Sequence, residues 1–142
     1  MSAVASFSSL AASPLFLRRV LWLDAATGVA TGALQLLLSG LLASLLGLPE
    51  TLLVATGWAL FGYVVLISFI ATRQFVPEGL VWLLIIANLL WVAGCMALLL
   101  LGDLVTPTLA GKVFIAVQAV AVGLLAELQW VGLRKAVAQP NW

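Results

Sequence analysis

Four stretches of the sequence, residues 20–44, 51–72, 79–101 and 107–133, each run for more than twenty positions with hardly a charge among them. Bilayer hydrocarbon is about 30 Å thick and an α-helix rises about 1.5 Å per residue, so one crossing takes roughly 20 apolar residues. All four stretches meet that length. The joints between them carry the residues that stop and turn a helix: Gly47-Leu48-Pro49-Glu50, then residues 73–78 with Pro77 near the end, then Gly102-Asp103 ahead of Pro107. Connections this short join antiparallel neighbours, so the pattern predicts an all-α integral membrane four-helix bundle, up-down-up-down. Transmembrane strands would alternate apolar and polar residues over about ten positions, whereas residues 36–38 and 97–101 are apolar throughout.

A water-soluble reading fails on supply. Apolar residues make up 65% of the chain and charged ones 8%, against roughly 45–50% and 25% in soluble domains. A net charge of +1 offers no basic stripe for nucleic acid. The expected surroundings are lipid and other membrane helices, with a small-molecule or ion substrate as a further possibility, and a homo-oligomer or membrane-protein partner expected on the same grounds.

Orientation follows from the basic residues, which are retained near helix ends on the cytoplasmic side. Arg18, Arg19, Arg73, Arg134 and Lys135 fall at one side of the predicted bundle, and only Lys112 at the other, beside loops that carry Glu50 and Asp103. Trp22, Trp82 and Trp130, three or four residues from Arg19, Glu78 and Arg134, mark the same side as an interfacial belt. Both termini are therefore expected in the cytoplasm, with the chain in a bacterial inner membrane. Residues 1–17 hold no Lys or Arg, which does not suit a secretory signal peptide. Residues 1–19 read as a retained tail, with Phe7, Leu10 and Ala11 on one face of a short helix that Pro14 ends, and 134–142 as a second tail.

Polar residues at membrane depth carry the information about function, because an unpaired charge there costs roughly 2.5 kcal/mol or more. On the first stretch Asp24, Gly28, Thr31 and Gln35 are spaced four, three and four, which stacks them on one inward face. On the fourth, Lys112, Ala116, Ala119, Gly123 and Glu127 form a small-residue face suited to close helix approach, while Gln118 and Gln129 share another. Gln35 and Gln118 lie equally far from the basic ends of their helices and are expected to bond each other. Tyr63 and Asn88 reach similar depths and are expected to pair. Two readings of Asp24 and Glu127 compete. In one, the carboxylates meet in a low dielectric where both cannot ionise easily, as a proton-coupled carrier requires. In the other, each is shallow, snorkels to the interface and pairs with Arg18, Arg73 or Arg134. Lys112 reads as an interfacial snorkeler and Cys95 as a small apolar packer.

Other chemistries are closed to the chain acting alone. It has no histidine and one cysteine, so His-ligated haem, a His-bearing zinc site, a Ser-His-Asp triad and dithiol redox work have no residues to use. No cofactor, metal or catalytic residue is implied.

Arg18-Arg19 ahead of Trp22 and Asp24, then Leu46-Gly47-Leu48-Pro49, then Ala126-Glu127-Leu128-Gln129-Trp130 resemble small, uncharacterised four-helix inner-membrane proteins of bacteria. That resemblance covers all four stretches and implies no activity. In length, helix count and a carboxylate on the first helix, the chain is also similar to the small multidrug resistance transporters, with Asp24 at the matching place. It departs from them in setting Asp24 near the helix end and in its strong charge bias. The expected function is a non-catalytic accessory, assembly or scaffold subunit acting through helix packing. The alternative is a small oligomeric proton-linked transporter or channel with an Asp24/Glu127 site.

Overall fold

The computed structural model describes residues 15–138. Its regular structure is helical: α1 (Phe16–Leu37), α2 (Ser39–Leu46), α3 (Glu50–Ala71), α4 (Glu78–Leu100) and α5 (Leu109–Ala138). Four of these, α1, α3, α4 and α5, are long and apolar enough to cross a membrane, the makeup of a multi-pass membrane protein. The expected helical face of Phe7, Leu10 and Ala11, with its stop at Pro14, lies outside the described residues. The parts of the two expected tails that are described are helical, as the first turn of α1 and the last turns of α5.

Residues 20–44 do not form one helix as the apolar run suggests. Leu38 leaves helical geometry (φ −119°, ψ 28°), and the chain restarts as the eight-residue α2. A Ser-Gly pair follows at Ser39-Gly40, the kind of sequence at which helices bend. The Ser39 hydroxyl donates to Glu50 Oε1 at 2.9 Å, holding the new segment against the start of α3. Gly47 ends α2 with φ 66°, a left-handed conformation that glycine adopts freely, and its N–H bonds to Ala43 O. A Cβ there would stand 2.9 Å from the Thr108 nitrogen. Thr108 then fastens this end: its N–H donates to Leu46 O and its hydroxyl to Leu45 O, while the same hydroxyl accepts from the Gly111 N–H in the first turn of α5. Pro107, expected inside the first turn, lies just outside it.

The long helices associate as two pairs, α1 with α3 and α4 with α5. Contact between α1 and α5 joins the pairs, and α3 and α4 barely touch. α1 and α3 cross closely: a Cβ on Gly57 would lie 2.9 Å from Leu36 Cγ and one on Gly32 would lie 3.3 Å from Gly57 O. Without water between helices, such small-residue contacts are a main source of association. The sequence pattern assigns that role to the Gly123 face of the last helix. A Cβ on Gly123 would instead meet only Val92, at an ordinary 3.9 Å, and Lys112 and Glu127 at the ends of that face are exposed.

Buried apolar residues gather toward the two ends. One cluster joins Leu17, Leu21, Ile67, Ile70, Leu84 and Leu133, another joins Leu46, Leu48, Leu53, Cys95 and Ile115, and a smaller one joins Phe16, Val20 and Leu125. At the first end Arg18 donates to Ala71 O and, at 3.1 Å, to Arg73 O, a cation set on the carbonyl-bearing end of α3. The Gly57→Leu variant is expected to lose about 1–3 kcal/mol by overpacking the α1–α3 crossing, read as a lower midpoint in SDS-driven unfolding followed by circular dichroism. Gly123→Leu is expected to move that midpoint far less.

Candidate functional site

Asp24 sits eight residues into α1 and is 4% exposed. Its Oδ2 receives three donors, one from each of the other long helices: Tyr63 of α3 at 2.8 Å, Asn88 of α4 at 3.2 Å, and Gln129 of α5. Asn88 Nδ2 also lies 3.1 Å from Gln129 Oε1, closing the network on itself. Asn88 and Gln129 are 5% and 0% exposed. Among the described residues, Asp24 Oδ1 accepts no hydrogen bond.

This arrangement corrects the interfacial reading of Asp24. It is buried within the bundle and not paired with an arginine, and direct bonding brings it level with Asn88, ten residues, or about 15 Å, into α4. The arginines are engaged elsewhere. Arg18 holds the end of α3, the Arg73 guanidinium lies 4.1 Å from the Phe69 ring, and Arg134 lies 5.0 Å from the Trp130 ring. The Asp24/Glu127 pairing does not form either. Glu127 is exposed, because at about 100° per residue it lies some 200° around α5 from the inward Gln129.

Two further pairings change. Tyr63 and Asn88 meet through the Asp24 carboxylate instead of bonding each other. Gln35 and Gln118 do not bond: Gln35 Oε1 accepts from Thr56 at 2.8 Å and Gln118 Oε1 from the Trp91 indole at 3.1 Å. Thr56 is thus a member that the sequence pattern leaves out, and Gln129 and Trp91 are members to which it gives no partner. A signal for Gln129 is present, since it lies five residues inside Arg134 just as Asp24 lies five inside Arg19.

One cavity adjoins this polar layer, and a second adjoins the first. The first, of about 280 Å³, is bordered by all four long helices and has Asp24, Thr31, Tyr63, Asn88 and Gln118 in its wall, all polar positions singled out by sequence. Gln35 borders the second, of about 500 Å³, and Glu127 borders neither. Trp91, Gln118 and Ala87 belong to both, so the indole–amide bond is part of the partition between them. Among the described residues no cluster of three His, Cys, Asp or Glu side chains is placed to hold a metal ion.

A double-mutant cycle on Asp24→Ala and Gln129→Ala is expected to return a coupling of about 0.5–2 kcal/mol in reversible unfolding; additive losses would remove the network. No family model, curated protein or solved structure matches the chain, so the roles of these residues rest on the geometry just described.

Proposed function

We propose that the protein is a small, non-catalytic proton-linked carrier of a bacterial inner membrane, with Asp24 alone, not an Asp24/Glu127 pair, as its coupling group. The observation that carries this reading is a buried carboxylate whose hydrogen-bond partners are all neutral, beside a cavity bordered by every long helix. A carboxylate at that depth with no cation beside it holds a proton or meets a charged or donor-bearing ligand. Exchange between those two conditions is the elementary step of proton coupling. The unbonded Oδ1 and the Thr31 hydroxyl in the same wall supply acceptors for such a ligand.

The path across the membrane follows from the same reading. The long helices alternate in direction, in an up-down-up-down bundle with both termini cytoplasmic. Supporting this, Gly28 adjoins Val64, Gly32 adjoins Phe61 and Gly57 adjoins Leu36, a register that falls on α3 as it rises on α1. Arg18 and Arg73 share one end through the Arg18 hydrogen bond, as the charge bias requires. Green fluorescent protein fused to either terminus is expected to fluoresce, and alkaline phosphatase at either terminus to stay inactive; the reverse pattern inverts the orientation.

A second reading, an accessory or scaffold subunit or homo-oligomer working through helix packing, is favoured by Gly62. Gly62 and Gly94 are both exposed and a Cβ on either would meet nothing within 4 Å; Gly94 borders the larger cavity, and Gly62, which borders neither cavity, leaves backbone open to another membrane helix. Proteoliposomes loaded with a pH-sensitive dye separate the two. With a panel of small solutes outside, the carrier reading expects solute-driven proton movement that Asp24→Asn abolishes and Glu127→Gln leaves intact. Flux that is absent, or indifferent to Asp24→Asn, overturns the carrier and leaves the packing reading.

A further inference from the structure

Glu127 is exposed on α5 and makes no hydrogen bond or ion pair among the described residues. Its height is fixed by a neighbour: Gln129, two residues on, bonds the buried Asp24 carboxylate, which puts Glu127 within about 3 Å of that layer along the helix axis. It stands seven residues, about 10 Å, from Arg134, and eighteen residues, about 27 Å, from Leu109, where α5 begins. Snorkelling does not relieve it. A helical Cα–Cβ bond tilts toward the helix N-terminus, and α5 starts at the end opposite Arg134, so the Glu127 side chain leans away from the nearer interface and toward the one it cannot reach. The residues one turn away, Gly123, Leu124, Trp130 and Val131, carry no cation. A carboxyl group against hydrocarbon is costly, so its partner has to come from outside the bundle and at its own depth, below the lipid headgroups.

The face around Glu127 has the period of a helix pair. Val113, Val117, Val120, Leu124, Glu127 and Val131 follow one another at alternating intervals of four and three, the 3.5-residue repeat of two helices wound about each other. The first four are each more than half exposed. None of the six borders either cavity, and the buried side of α5 carries Ile115, Ala119, Ala126 and Gln129 instead. A carboxyl that holds its proton is donor and acceptor at once, and so complementary to its own kind. A two-fold axis along the membrane normal sets every residue of such a face opposite its counterpart at the same depth, whereas a different membrane protein would need its own polar group at that height. We propose that two copies of this chain pair along the outer face of α5, in the same orientation, with the two Glu127 carboxyls hydrogen-bonded to each other across the axis. One polar position in an otherwise apolar seam fixes its register and the number of helices in it. The pairing gives the homo-oligomer of the packing reading a face, and it stands equally under the carrier reading.

The full chain, carrying donor or acceptor fluorescent proteins at its C-terminus, is reconstituted in palmitoyl-oleoyl phosphatidylcholine vesicles, and energy transfer is followed as the lipid content is raised. Transfer is expected to fall with dilution as a two-body equilibrium does. Glu127→Leu is expected to raise the protein-to-lipid ratio at half association about tenfold, the scale of one interhelical hydrogen bond in a bilayer. Glu127→Gln, whose amide also donates and accepts, is expected to keep that ratio close to its original value. The face is read separately by copper-phenanthroline cross-linking in a Cys95→Ala background: Val120→Cys is expected to trap a dimer, and Val65→Cys, at a position 70% exposed on α3, is not. A chain that is monomeric at every lipid ratio, association unchanged by Glu127→Leu, or cross-linking at Val65 as strong as at Val120 overturns the proposal. Where Glu127→Leu fails to fold, the cross-linking pattern, taken with Glu127 in place, decides. Association and proton flux are separate readouts, so failure of the carrier reading and failure of the pairing are told apart.

Discussion

A carboxylate buried inside a bundle must be solvated largely by the protein, and among the described residues its donors converge on a single oxygen. Asp24 Oδ2 draws Tyr63, Asn88 and Gln129 from three helices to one point. Apolar helix faces in oil slide and rotate past one another with little penalty, since lipid tails are as apolar as leucine. A directional contact among four helices removes that freedom. It sets how far each helix is turned about its axis and at what height it stands, in the way that a buried polar group can fix register. The glycine crossing between α1 and α3 then works on a geometry already chosen.

The space in the bundle is a consequence of where the polar layer sits. Leucines and isoleucines fill both ends. Between them the walls are built of Gly28, Thr31, Ala87 and Ala121 around amides that are held by hydrogen bonds and not free to repack. Interiors normally close to crystal-like density. Here small side chains and fixed amides leave room for two adjoining cavities.

Span number and span length were legible because they depend on composition and helix rise alone. The break at Leu38 was not, since the run on either side of it is uniformly apolar and only the neighbouring Ser39-Gly40 hints at it. Inward and outward faces were legible where spacing was regular: Asp24, Gly28 and Gln35 are buried and Thr31 half-buried. Depth was harder. Measured from Arg19, Asp24 looks shallow, but α1 begins at Phe16 and the side chain turns inward. Partner choice was hardest, because one helix face offers several amides at similar heights. Gln35 and Gln118 each found a nearer donor in Thr56 and Trp91, and no spacing rule ranks those contacts.

The uneven contact between helices has a mechanical meaning. The α1–α3 and α4–α5 hairpins are each tightly knit, while the seam joining them is the narrower α1–α5 contact and the opposite seam is slack. A body assembled in this way yields by swinging its halves about α1 and α5, like the covers of a book about its spine. Asp24 lies beside that spine and bonds Gln129 across it, with Tyr63 drawn in from one cover and Asn88 from the other. Any rotation that widens the slack edge therefore pulls first on the Asn88 bond, since Tyr63 moves with Asp24 in the same half, and so couples the opening of the bundle to the state of one carboxylate.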